Sequence, residues 1–111
     1  MSERLNRQLV LEAPVAGADG AGGSILSWTA LGIVWGRIEP GAGRETRGIE
    51  IPLGTVPLRI TVRAAPAGAA ARPQPGQRFR EGARLYPVLA VTEKDADGRY
   101  LMCFAREEVP A

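Results

Sequence analysis

The chain has 111 residues, 45% of them apolar, with 14 basic and 12 acidic side chains, one cysteine and no histidine. That length holds one domain, 1–111, with a modest core and no room for a large enclosed active site as well. The net charge of +2 lacks the basic excess of a dedicated nucleic-acid binder. A lone Cys103 excludes an internal disulfide, and no apolar run is long enough for a membrane-spanning helix.

Aromatic residues make up 5% of the chain, so the core is expected to be aliphatic with a few aromatic anchors. Every basic residue except Lys94 is arginine. A GC-rich genome explains that bias, and arginine also supplies bidentate pairing at protein interfaces. The opening residues, MSERLNRQLV, lack the apolar stretch of a signal peptide, so the expected site of synthesis and use is the cytoplasm or something assembled there.

Along the chain, SERLNR suits a short turn with Ser2 as cap. Residues 7–12, RQLVLE, alternate, with Leu9 and Leu11 pointing one way, and predict a strand. Residues 16–24, AGADGAGGS, predict the connection to the next one. Residues 31–39, LGIVWGRIE, put Val34, Gly36 and Ile38 on one face and Ile33, Trp35 and Arg37 on the other, which predicts a strand covered on both sides over part of its length. Residues 40–54, PGAGRETRGIEIPLG, form a long loop. Val56, Leu58, Ile60 and Val62 alternate with Pro57, Arg59, Thr61 and Arg63, the clearest strand pattern in the chain.

Residues 65–77, APAGAAARPQPGQ, predict a low-complexity loop that buries no apolar area of its own. Residues 85–94 and 99–107 predict a hairpin around Asp97-Gly98, because glycine accepts the positive φ of a tight turn. Pro87 has no N–H for a ladder, so its strand is expected to lie at an edge or to be bulged there. The expected fold is all-β, a small antiparallel β-barrel of about five to six strands with long loops, or a sandwich.

Chemistry is sparse. Without histidine there is no ordinary general base, and Cys103, between Met102 and Phe104, reads as a buried small hydrophobe. No Cys/His cluster points to a metal, and GADGAGG lacks the GK[ST] ending of a phosphate loop. No catalytic residue, metal or cofactor is expected. The row Arg59, Thr61, Arg63 reads either as the solvent face of a half-buried strand or as a track for single-stranded nucleic acid; no stacking aromatic stands at the neighbouring outward positions of that strand.

The 40–54 loop is the most suggestive segment. Its length is at the upper limit for a structureless connection. It carries Arg44, Glu45, Arg47 and Glu50 in mixed sign, with Ile49, Ile51 and Leu53 in alternation. Such a segment can pair with a neighbouring chain, or it is a plain excursion or an extension of the next strand into a hairpin arm.

The order of motifs resembles the phage head–tail joining (head-closure, stopper) proteins over nearly the whole length. It is carried by Leu5–Leu11, Asp19-Gly20-Ala21-Gly22-Gly23, Trp28, Val34-Trp35-Gly36-Arg37-Ile38, Pro40, Gly43-Arg44-Glu45, Leu58–Arg63, Gly82–Val88 and Asp97-Gly98-Arg99. The 65–77 insertion departs from the family pattern in its Ala and Pro content. The resemblance implies a β-barrel subunit of a homo-oligomeric ring, commonly a dodecamer, between portal and adaptor above and tail below. DNA would pass through the ring without sequence readout. It places Arg44 to Leu53 near the ring axis or between subunits, and it implies a location in a virion or phage-like particle; the GC-rich composition suggests a prophage or a gene-transfer particle as the source. Arg37, Arg59 and Arg63 are expected to pair with acidic groups such as Glu45 or Glu50 on adjacent copies, and no membrane contact is expected.

Overall fold

The computed structural model describes residues 4–18, 20, 22–41, 55–66 and 68–108. Six strands follow in order: β1 (Arg7–Ala18), β2 (Ser24–Pro40), β3 (Pro57–Arg63), β4 (Arg78–Glu81), β5 (Arg84–Glu93) and β6 (Tyr100–Arg106). All pairings are antiparallel, and the sheet closes on itself in the order β1-β2-β3-β6-β5-β4. The expected all-β closed sheet of five to six strands is what the chain forms, and closure removes most free strand edges.

Period-two alternation sends Leu9 and Leu11 from β1, Leu58, Ile60 and Val62 from β3, and Leu101, Cys103 and Ala105 from β6 into the core, with Phe79, Tyr86 and Val88 completing it. Val56 does not join this row: it precedes β3 and is exposed. Thr61, expected on the solvent face, is fully buried. It stands across from Arg37 and Met102 on the outer side of the sheet, with Lys94 Nζ 3.5 Å from its hydroxyl, so neighbouring long side chains roof it over.

Three boundaries differ from the sequence reading. β1 and β2 run on to Ala18 and back to Ser24, leaving only 19–23 as the connection, where Gly20 and Gly22 have positive φ. Residues 78–81, for which no element was expected, form β4 and supply Phe79. The 65–77 loop does bury one apolar group, Pro73.

Pro87 is not at an edge, because β5 has a neighbour on both sides. The irregularity lies just beyond it, between Val88 and Ala90. The turn at Asp97-Gly98 is as expected: Gly98 has φ 67°, and the Asp95 carboxylate accepts from the Arg99 N–H at 2.9 Å and the Tyr100 N–H at 3.2 Å.

Gly36 sits where β2 passes closest to the core. A Cβ there would lie 2.9 Å from Leu9 Cδ1 and 3.2 Å from the Thr61 carbonyl oxygen, whereas one at Gly17 would meet nothing within 4 Å. Gly36→Ala should therefore cost about 1–3 kcal/mol by overpacking, and Gly17→Ala should stay within about 0.5 kcal/mol of the parent. Urea unfolding measures both; equal midpoints for the two variants would contradict the packing assigned to β2.

Candidate assembly surface

The β1–β2 hairpin is longer than the barrel needs. β1 pairs with β4 only at Val10, Leu11 and Glu12, and β2 pairs with β3 only from Gly36 onward. Beyond those points the two strands pair with each other alone, as a two-stranded ribbon. Its register shifts between Leu11 and Glu12, opposite Gly32 and Ala30, so Leu31 is the extra residue of a bulge. The bulge preserves the alternation on either side: Ile33 and Trp35 face outward from the barrel, and Leu26, Trp28 and Ala30 continue the same face along the ribbon.

Four of the five large exposed hydrophobic residues among those described lie on this hairpin: Val15, Leu26 (61% exposed), Ile33 (59%) and Trp35 (51%). The Val34–Gly36–Ile38 face does turn inward, as the sequence predicts. Among the described residues nothing covers the Ile33–Trp35 face, where the sequence predicts cover on both sides over part of the strand. Ile33 and Trp35, with Leu5, Val34 and Arg63, instead line an open depression of about 250 Å³. Beyond the cover expected over 31–39, the sequence reading passed over the rest of the ribbon, yet a signal was there: residues 13–36 contain one charged side chain, Asp19, in a chain that is 23% charged. Charge depletion on an exposed element marks the centre of protein interfaces.

Two carboxylates anchor the hairpin and the opposite end of the sheet. Glu12 accepts from Arg78 Nε at 2.7 Å and from Arg80 Nε at 2.9 Å, and the Arg78 guanidinium lies 4.0 Å from the centre of the Trp28 ring. Burial pushes the Glu12 pKa up, but the hydrogen bonds from Arg80 and Arg78 outweigh it and hold the carboxyl below its usual range. Glu81 accepts from Arg7 Nε at 2.6 Å and from the Tyr86 hydroxyl at 2.9 Å; the Arg7 hydrogen bond, against burial, lowers its pKa. Arg84, exposed, makes a bidentate pair with Glu107 at 2.8 and 2.9 Å. Burial, then the Glu81 hydrogen bond, pushes Tyr86 up to about 12.

Of the residues singled out from the sequence, Arg44, Glu45, Arg47, Ile49, Glu50, Ile51 and Leu53 lie outside the described residues. Arg37, Arg59 and Arg63 share the outer face of β2 and β3. Arg37 Nη2 donates to Glu39 at 3.3 Å in its own strand. Arg63 stands opposite Tyr100, its guanidinium 5.8 Å from the ring centre, and Arg59 stands opposite Phe104. The aromatics missing along β3 itself are thus supplied by β6, a cross-strand relation that period-two reading of one strand cannot reveal. Cys103 is buried, and burial pushes its thiol up to about 12, as befits a core residue. Among the described residues no group of three or more His, Cys, Asp or Glu could hold a metal, and no helix is long and apolar enough to cross a membrane.

Glu12→Gln should destabilise the protein by about 2 kcal/mol, mostly through Arg78, because the Arg80 side chain is 40% exposed and its share is screened. The lowered pKa values of Glu12 and Glu81 contribute stability above the unfolded carboxylate range, and this is lost as pH falls through their folded values; Tyr86, raised, contributes below about 10 and loses its share as pH climbs through about 12. Thermal melts against pH should show a plateau near neutrality with loss below about pH 4. An acid limb unchanged in Glu12→Gln would refute the role given to that carboxylate.

The model of the phage head completion protein family matches residues 1–108. A chain in the solved virion of a native gene transfer agent particle is 54% identical, with TM-score 0.78 over 99% of this chain and 100% of that one. The solution structure of protein SF1141 from Shigella flexneri 2a shares 17% identity at TM-score 0.70, over 97% of this chain and 96% of its own, and so shows the same fold. No curated protein matches. With its closed antiparallel sheet and this end-to-end correspondence, the chain belongs to the phage head completion protein family.

Proposed function

We propose that the protein is a structural connector of a phage-like or gene-transfer particle, a head-closure subunit that forms a ring between the portal or adaptor of the capsid and the tail. The observation that carries this reading is its 54% identity, over the full length of both chains, to a component of a gene transfer agent virion. The molecule suits the role physically. A closed sheet is a rigid body, and repetition around a ring multiplies modest contacts into a durable joint. Its work is contact rather than catalysis.

In this reading Arg44, Glu45, Arg47, Ile49, Glu50, Ile51 and Leu53 face the DNA channel or a neighbouring copy. Gly41 and Pro57 mark the base of that segment, where the Gly41 N–H donates to the Pro57 carbonyl at 2.9 Å. Arg37, Arg59 and Arg63 then serve as cations for acidic groups on adjacent copies. The ring has the symmetry of its attachment site, twelvefold in the reading adopted here, and DNA passes without base readout.

A second reading has one specific observation in its favour. Arg63 forms a cation–aromatic pair with Tyr100 on an outer sheet face, and Arg59 stands opposite Phe104 in the same strand pairing, the ingredients of a surface that stacks single-stranded nucleic acid. Salt-titrated binding to a labelled oligonucleotide distinguishes the two: this reading needs affinity that falls steeply with salt.

Deleting the gene from a particle-producing strain should leave filled heads that lack tails and leak DNA, and electron microscopy of wild-type particles should show the chain as a ring at one vertex. Complete, tailed particles made without it would overturn the proposal. Ile49→Asp with Ile51→Asp should keep the isolated protein within about 0.5 kcal/mol of the parent while its particles leak. A loss of about 2–5 kcal/mol, the cost of a core aliphatic, would instead place those residues in the core.

A further inference from the structure

Two contacts of different kinds tie the β1–β2 ribbon to the barrel. On the inner side, Leu31, the extra residue of the bulge, packs against the core cluster. On the outer side, the Arg78 guanidinium lies 4.0 Å from the centre of the Trp28 ring while its Nε donates to Glu12 at 2.7 Å. Trp28 pairs with Pro14, two residues past Glu12 on the same face. Of residues 14–17 and 26–30, Trp28 alone is not exposed. The ring is the one side chain in that stretch that the barrel takes hold of.

The mechanics of the two contacts differ. The bulge interrupts the ladder between Leu11 and Glu12, and an interrupted ladder bends where a continuous one resists. Beyond it, among the described residues, each ribbon strand ladders only with the other. The ladder therefore leaves the angle between ribbon and barrel weakly fixed. The stack supplies that angle from outside the hairpin. Arg78 belongs to β4 and is held on the barrel side by Glu12, so the guanidinium cannot follow the ring if the ribbon turns away. A cation over an indole favours the stacked arrangement by roughly five- to thirtyfold, strong enough to set an orientation and weak enough to release.

We propose that the bulge at Leu31 is a hinge and the Arg78–Trp28 stack its latch. While the ring is stacked the ribbon keeps one orientation; when it leaves the guanidinium the ribbon swings as a body and the barrel stays as it is. The chain can then redirect its apolar arm without rebuilding its core. The device lies within one molecule and does not depend on the connector role.

The test is pulsed electron spin resonance on the isolated chain with pairs of nitroxide labels. One pair, Ser27→Cys with Thr92→Cys, spans ribbon and barrel. The other, Ile33→Cys with Thr92→Cys, lies wholly on the barrel side of the bulge. All three positions are exposed, and Cys103 is buried and takes no label. Without further change both pairs should give one narrow distance. Trp28→Leu keeps apolar bulk but removes the ring. In that background the 27–92 distance, dominant by roughly five- to thirtyfold in the parent, should become a minority of a broad distribution, and the 33–92 distance should stay narrow. Trp28→Phe, which keeps a ring, should restore most of the narrow population.

Nuclear magnetic resonance of unlabelled Trp28→Leu should still show the cross-strand contacts of Val15 with Ser27 and Gly17 with Ile25, because the ribbon moves without fraying. A 27–92 distribution as narrow in Trp28→Leu as in the parent would overturn the latch, and so would Trp28→Phe behaving like Trp28→Leu. Equal broadening at positions 27 and 33, or loss of the cross-strand contacts, would overturn the hinge.

Discussion

The fold depends on a short closure. Only three residue pairs, Val10 with Arg80, Leu11 with Phe79 and Glu12 with Arg78, join the first strand to the fourth and turn an open sheet into a closed one. Two of these positions, Leu11 and Phe79, are fully buried. The third is a carboxylate held by two guanidinium groups on the strand it must join. Apolar burial and a charge-assisted clamp thus act on adjacent residues of one ladder. Without them β4 and β1 would both present free edges, and the ribbon that leaves the barrel at Glu12 would have no fixed root.

That root explains the division of labour along the hairpin. Up to Glu12 and from Gly36, the strands are core elements and obey ordinary alternation. Between those points they gain little from their own domain, and a two-stranded ribbon in water is marginally stable at best. The Arg78 guanidinium on the Trp28 ring ties the ribbon back to the barrel. The element is apolar and almost uncharged, the composition of an interface centre.

Much of the fold was legible in the sequence because most strands here obey a two-residue period. Leu9, Leu11, Leu58, Ile60 and Val62 all go where alternation sends them, and Asp97-Gly98 turns as its chemistry dictates. β4 was not legible, because RFRE is four residues with a single apolar side chain and no pattern can be read from one tooth. The start of β2 was hidden by small residues and by the bulge at Leu31, which breaks the period. The burial of Thr61 and the pairing of Arg63 with Tyr100 depend on which strands become neighbours, and the β3–β6 pairing joins segments about 40 residues apart in sequence. The candidate surface was half legible: the Ile33–Trp35 face was expected to be covered over part of its length, and among the described residues both side chains are exposed.

The ion pairs at the far pole have a practical corollary. Arg7, at the start of β1, and Glu107, just after β6, are linked through Glu81 and Arg84, and Glu108 bridges to Leu85. Both ends of the strand-forming chain therefore emerge side by side, at the pole opposite the 19–23 turn. A short peptide joining the two ends would permit a circularly permuted molecule opened at the Asp95–Gly98 turn with every strand neighbour retained.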